Sequence, residues 1–257
     1  MTITSLTNSS FFVWVVAAFA LISNLILSVL FMLSPSFIHH TLVHRKVLSE
    51  LRRKGFHING LLYPSLYYIF LKYKRVTKSE AVLIVAIISI GLSLFEALRI
   101  AFPRFNILMF HLLKKIMRKK ESRSVTGLFF FTMGTLLTIL LFAPPYAILG
   151  CVDVVVGDLS AALVGVTYGK TRLRGKKTVE GTLGCFFCCW FFCTIVLISF
   201  LHSSLDHALI IALSSAFFAT IAELFADVHL DDNLIMPVSG AFGAFFASWL
   251  LKSHVYI

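Results

Sequence analysis

The sequence predicts an all-α fold: a polytopic integral membrane bundle of about seven or eight transmembrane helices. Three observations carry this. Of 257 residues, 58% are hydrophobic and 14% charged, and the mean hydropathy of +0.90 lies far from the balance of a soluble domain. The apolar residues gather in runs of membrane length. The positive charge gathers in short segments between them: residues 1–150 hold 17 Lys/Arg against 4 acids, and residues 151–257 hold 6 against 8. A net charge of +11 raises nucleic-acid binding, but the basic runs are short and flank apolar segments. They read as cytosolic loops that obey the positive-inside rule, so no nucleic-acid partner is expected.

The expected spans follow in order. Residues 11–33 form the clearest one. Residues 1–10 lack a basic n-region, and the run after them exceeds a signal h-region, so this span is expected to stay uncleaved. With the basic loop after it, the span makes up residues 1–50, ahead of a membrane-embedded catalytic domain over 51–257. Residues 56–71 are short for a span and carry His57, Asn59 and Pro64, which reads as a tilted or broken helix. Residues 81–101 contain Glu96 and Arg99 near their end. Residues 125–142 and 146–168 are separated by Pro144-Pro145, and Gly150, Gly157, Gly165 and Gly169 allow close helix approach or an unwound segment. Residues 183–201, 208–226 and 234–251 complete the set.

Sidedness follows from the loops. With the N-terminus outside, loops 34–55, 102–124, 169–182 and 227–233 share one side, and the first three carry most of the Lys/Arg. That side is expected to be cytosolic. Residues 72–78, also basic, fall on the other side, so either the second span is re-entrant or the rule is locally broken. The sequon Asn8-Ser9-Ser10 lies outside in this count but sits very close to a span. Cys185, Cys188, Cys189 and Cys193 crowd one apolar helix with no His nearby, and Cys151 stands apart. Helical spacing is expected to spread the four over several faces, which suits packing rather than zinc or disulfides.

Two constellations carry chemistry. Lys170, Arg172, Arg174, Lys176 and Lys177 lie within eight residues, with Gly169 and Gly175 supplying backbone freedom and Thr178 and Thr182 where the next helix begins. Side-chain cations, exposed backbone N–H groups and a helix N-terminus together suit phosphate oxygens. Gly157-Asp158 precedes this turn and Glu180-Gly181 follows it, but no Walker-type phosphate loop is present. The second constellation is Glu223, Asp227, Asp231, Asp232 and Asn233, with Pro237 beyond. Glu223 and Asp227 are four apart on one helix face, where like charges repel unless a cation or proton sits between them. Hard oxygen ligands in this number suit Mg²⁺, and Asp158 would reach the same face. A carboxylate at bilayer depth costs several kcal/mol, so it is rarely there without a partner, ion or substrate.

The string Asp158-x-x-Ala161-x-x-x-Gly165-x-x-x-Gly169, followed by Lys176-Lys177-Thr178-Val179-Glu180-Gly181, resembles the CTP-using superfamily of lipid kinases and cytidylyltransferases. Its members include dolichol kinase, phytol kinase, CTP-dependent diacylglycerol kinase and phosphatidate cytidylyltransferase. Glu223 with Asp231-Asp232-Asn233-Leu234-x-x-Pro237 is most similar to the phytol and diacylglycerol kinase branches, and Arg52-Arg53-Lys54-Gly55-Phe56-His57 is similar to their basic entry to the first shared span. The long terminal motif of the cytidylyltransferases is missing from VHLDDNLIMPVSG. Dolichol kinases carry a single Asp before the Asn, although the Thr-x-Glu-Gly-Thr here is closer to theirs.

The resemblance implies CTP-dependent phosphorylation of a membrane lipid alcohol: diacylglycerol, a phytol-like alcohol or a polyprenol such as dolichol. CDP-lipid synthesis and a membrane transporter are the alternatives. It implies a catalytic set of Asp158, Glu223, Asp231 and Asp232. The nucleotide set is Lys170, Arg172, Lys176, Lys177, Thr178 and Glu180, with Lys176 and Lys177 foremost on the phosphates. Mg²⁺ would be held by Asp158, Asp227 and Asp231. Ligand and proton-accepting roles stay open among the Asp residues, Glu180 and Glu223 are expected to orient the cations, and His57 would approach from the second span. The implied location is the endoplasmic reticulum in a eukaryote or the inner membrane in a bacterium.

Overall fold

The computed structural model describes residues 59–113, 119–122, 124–226, 230–253 and 255. The expected span at 11–33, the loop at 34–55, the Asn8 sequon, His57 and Asp227 lie outside those residues. After a 3-10 turn at Asn59–Leu61, the helices are α1 (Leu62–Lys72), α2 (Lys78–Ala101), α3 (Pro103–Leu113), α4 (Gly127–Leu141) and α5 (Pro144–Tyr168), with a second 3-10 turn at Lys119–Ser122 between α3 and α4. Strands β1 (Arg172–Arg174) and β2 (Lys177–Thr178) precede α6 (Val179–Ser199), α7 (Leu205–Phe225) and α8 (Asp232–Leu250). Five of these, α2, α5, α6, α7 and α8, are long and apolar enough to cross a membrane. Helix α4 is apolar but has 15 residues, so at 1.5 Å per residue it falls short of a hydrocarbon core of about 30 Å.

Local chemistry sets the boundaries. Helix α2 opens on a capping box: Thr77 Oγ1 accepts from Glu80 N at 3.3 Å, and Glu80 Oε2 accepts from Thr77 N at 2.7 Å. Helix α5 begins with two prolines, whose missing N–H groups cost nothing in a first turn. The same property makes Pro103 the first residue of α3, inside a segment expected to be loop. The basic turn also departs from expectation, since β1 and β2 pair as an antiparallel hairpin. Its tip needs Gly175, at φ 56°, a left-handed conformation glycine reaches without strain.

Helix α5 is the hub and packs on α6, α7, α8 and α1. Lipid tails are as apolar as Leu, so helix association rests on close packing and small residues rather than on expelling water. At Gly150 a Cβ would collide with the Pro237 carbonyl of α8, and at Gly157 it would sit 2.8 Å from both Cys189 Sγ and Met236. Cys185, Cys189 and Cys193 are fully buried, and at four-residue spacing they share the inner face of α6. This corrects the expectation that they spread over several faces; only Cys188 turns partly outward. The turn after α1 sits where α4 and α6 finish, because Tyr68 Oη donates to Phe200 O at 2.8 Å and Lys78 Nζ to Leu140 O at 3.3 Å. The start of α1 lies against Val155 in the middle of α5, so the 11 residues of α1 cross about half the bundle.

Fully buried Asp153 joins four helices at the bundle's centre. Ser215 Oγ of α7 lies 2.6 Å from Asp153 Oδ2 and 2.9 Å from the Gly240 carbonyl of α8, while Cys193 Sγ of α6 donates to Asp153 Oδ1 at 3.1 Å. A hydroxyl has one hydrogen. Both oxygen contacts are hydrogen bonds only when a neutral Asp153 donates to Ser215 and Ser215 donates to Gly240. A Cβ at Gly240 would strike Asp153 Oδ2. Asp153→Asn retains one donor and one acceptor and should hold stability within about 1 kcal/mol. Gly240→Ala should lose about 1–3 kcal/mol through overpacking. Reversible denaturation in detergent micelles measures both, and equal losses would contradict this account.

Candidate active site

One end of the bundle collects the start of α4, the end of α5, the hairpin, the end of α7 and the start of α8. The hairpin docks by its cations. Lys177 Nζ pairs with the Glu223 carboxylate and donates to Glu223 O at 2.6 Å. Arg174 Nη1 donates to Phe225 O at 3.0 Å, with its guanidinium 5.1 Å from the centre of the Phe225 ring. Both cations meet the last carbonyls of α7, where the helix dipole leaves negative partial charge. Loop 169–182 and the C-terminal end of α7 therefore share one end of the bundle.

The first expected constellation divides by role. Thr178 caps α6, its Oγ1 accepting from Gly181 N at 3.1 Å. Glu180 accepts from Thr171 N at 3.3 and 3.4 Å, tying the hairpin's entry to its exit. Lys170, Arg172 and Lys176 are exposed. Gly165 and Gly181 let α5 and α6 touch just behind the hairpin, since a Cβ at Gly181 would lie 2.8 Å from Ala161 O. Lys177, expected foremost on phosphate, already has a carboxylate partner.

The acids lie deeper. Asp158 on α5, Glu223 on α7 and Asp231 before α8 are all buried, and Asp232 is half-buried. The carboxylates of Asp158 and Asp232 both lie within electrostatic range of Glu223, as does the Lys177 ammonium. Asp231 is the N-cap of α8. Its Oδ1 accepts from Asn233 N at 3.1 Å and from Asn233 Nδ2 at 2.8 Å, and Asp232 Oδ1 also accepts from Asn233 N at 3.1 Å. Burial, reinforced by the neighbouring Asp232 charge, pushes the Asp231 carboxyl up to about 6. Asn233, 1% exposed, was legible only as part of a motif, yet it organises both aspartates. Pro237 has no N–H to offer the Asn233 carbonyl, which instead faces Gly134 of α4, where a Cβ would clash.

Among the described residues no three His, Cys, Asp or Glu side chains converge as a ready metal cage. The buried oxygens without a hydrogen-bond partner nonetheless include Glu223 Oε2 and Asn233 Oδ1. Oxygen donors of this type, few in number, suit Mg²⁺, which keeps several waters and shares its shell with substrate phosphates.

No protein-family model matches the chain, and no solved structure does. The chain is 26% identical over 156 residues to CTP-dependent diacylglycerol kinase 1 of Schizosaccharomyces pombe, covering 57% of this chain and 71% of that one. It is 27% identical over 150 residues to the protein of the same name from Saccharomyces cerevisiae, covering 56% and 50%. An uncharacterised protein of Rickettsia prowazekii is 28% identical over 194 residues, covering 74% of this chain and 90% of its own. The relatives named as CTP-dependent diacylglycerol kinases support a place among CTP-dependent lipid kinases, at modest identity, for an integral membrane helical protein.

Proposed function

We propose that this protein transfers the γ-phosphoryl group of CTP to the hydroxyl of a membrane lipid alcohol at the cytosolic membrane face. Diacylglycerol is the first choice, because three relatives are named as diacylglycerol kinases. The observation that carries the reading is the docking of a cationic hairpin, through Lys177 and Glu223, onto an end of the bundle that holds Asp158, Asp231 and Asp232.

Phosphoryl transfer asks the protein for position and charge rather than covalent chemistry. The lipid oxygen forms a bond to the γ-phosphorus, the bridging β–γ bond breaks, CDP leaves, and the hydroxyl proton passes to a carboxylate. Lys170, Arg172 and Lys176 are exposed and free to reach phosphate oxygens, while Lys177 and Arg174 fasten the loop that presents them. Asp158 or Asp231 takes the proton. Mg²⁺, when bound by Asp158 and Asp231 with the Asn233 and Glu223 oxygens nearby, would neutralise charge on the nucleotide phosphates. Asp158, Glu223 and Asp231 are buried from bulk water, which favours the lipid hydroxyl over water as the acceptor.

Asp158→Asn keeps size while removing charge, and should lower turnover by about 100-fold or more with insertion unchanged. Initial rates on the reconstituted variant measure this, and near-normal rates would remove Asp158 from the mechanism. Sidedness has its own test. Cysteines placed at Arg172 and Leu230, both exposed, should each be labelled by an impermeant thiol reagent from the cytosolic side only. The native cysteines give a low background, since four of the five are buried. Labelling from opposite sides would break the shared site.

A further inference from the structure

Among the described residues, three that are not glycine have a left-handed backbone: Lys74 at φ 50°, His202 at 51° and Lys252 at 51°. Each follows the end of a helix, α1, α6 and α8 in turn. A left-handed position past a helix end usually goes to glycine, because a Cβ there is strained. Here all three hold residues of basic type. All three also lie at the end of the bundle away from the acids. The turn after α1 sits where α4 and α6 finish, α5 starts just after α4, and Tyr146 at the start of α5 meets Ser248 near the end of α8. The 19 residues of α8 place Lys252 about 30 Å from Asp231, the thickness of a hydrocarbon core.

Lys252 borders an open-sided cavity of about 540 Å³, whose lining includes Tyr146, Phe245, Ser248, Trp249 and Ser253. That volume suits a small ligand or a headgroup. The frame of the cavity is fixed. Ser248, 1% exposed, donates to the Ser253 carbonyl, so the Tyr146 hydroxyl, 2.7 Å away, donates to Ser248 Oγ. The N–H groups of Lys252 and Ser253 donate to Trp249 O at 3.1 Å and Ser248 O at 3.0 Å. These bonds hold Lys252 in a conformation that glycine would reach without strain. Its side chain is exposed and pairs with no acid among the described residues. Phe245, Trp249 and Leu250 beside it are exposed and apolar.

We propose that this cavity holds the headgroup of an anionic glycerophospholipid from the leaflet opposite the acidic site. The Lys252 ammonium meets the phosphate, and Phe245, Trp249 and Leu250 flank the acyl chains. A tryptophan and a lysine at one helix end match the headgroup level of a bilayer, where each keeps its polar tip wet and its body in apolar surroundings. The charge of this face also favours an anion. Lys74 and Arg75 are exposed there, whereas Glu80 is committed to the capping box of α2 and Asp206 lies 3.9 Å from His207. The basic run at 72–78, which breaks the positive-inside pattern, belongs to the same face. The last carbonyls of α8 carry negative partial charge, so an anion is held only where a cation projects beyond them. The site is independent of the reaction proposed for the other end.

The test is native mass spectrometry of the full chain in mild detergent, supplied with equal amounts of phosphatidylglycerol and phosphatidylcholine. The wild type should retain one phosphatidylglycerol in preference to phosphatidylcholine. Lys252→Gly should lower that retention about 10-fold, the worth of one charge-assisted hydrogen bond. Its melting temperature in lipid-free micelles should stay level or rise, because glycine relieves the left-handed backbone. Lys252→Arg should keep the lipid. Lys74→Gly is the control: it removes the same charge from the same backbone conformation at the same end, and should leave retention unchanged. If Lys252→Gly does not fold, Lys252→Asn removes the charge, tolerates the left-handed region and should show the same loss. Equal losses from Lys252→Gly and Lys74→Gly would reduce the site to diffuse surface charge and overturn the proposal. Equal retention of the two lipids by the wild type, or undiminished phosphatidylglycerol on Lys252→Gly, would overturn it as well. Loss of the lipid from Lys252→Arg together with a lower melting temperature would make Lys252 a structural residue and overturn it too.

Discussion

Carboxylates at membrane depth are the constraint on which the rest of this structure depends, because a lone charge in low dielectric costs several kcal/mol. The bundle meets that cost in different ways at different depths. Asp153, in the middle of α5, is kept neutral: it donates to Ser215 of α7 and accepts from Cys193 of α6. Glu96 is matched by Arg99 one helical turn away. Glu223 waits for Lys177, which arrives from a different segment of the chain. Asp158, Asp231 and Asp232 lie at the same end, and the Asp158 and Asp232 charges both bear on Glu223.

Close helix contact makes this arrangement possible. Gly134, Gly150, Gly157, Gly181 and Gly240 each leave room that a Cβ would fill, four of them against backbone or side-chain polar atoms. Pro237 contributes from the other direction by releasing a carbonyl inside α8 toward α4. The aspartates and Asn233 thus sit on the end of a helix whose backbone is locked to two neighbours. Such rigidity matters for phosphoryl transfer, where small misplacements of a charge reduce the rate steeply.

Much of this was legible in the sequence because membrane spans are long and written in composition. The expected spans at 81–101, 146–168, 183–201, 208–226 and 234–251 coincide with helices to within a few residues. Helix α3 was not legible, since Pro103 reads as a stop although it opens a helix. Nor was the hairpin, too short for any period-two pattern. At the site, the motif residues were visible as charges in apolar surroundings, but their pairings were not. Nothing local tells Lys177 from Lys176, and only the strand register turns one toward Glu223 and leaves the other exposed.

The central claim is that the γ-phosphoryl group, rather than the cytidylyl group, moves to a lipid alcohol. It is tested most directly by incubating the reconstituted protein with CTP labelled separately on the γ-phosphate and on the cytosine, with diacylglycerol, phytol or dolichol in the bilayer. The account predicts that the γ-label enters the lipid fraction as a monophosphate while the cytosine label leaves as CDP, and that excess ATP does not displace it. Cytosine label in the lipid fraction, or no transfer to any of the three alcohols, would contradict it.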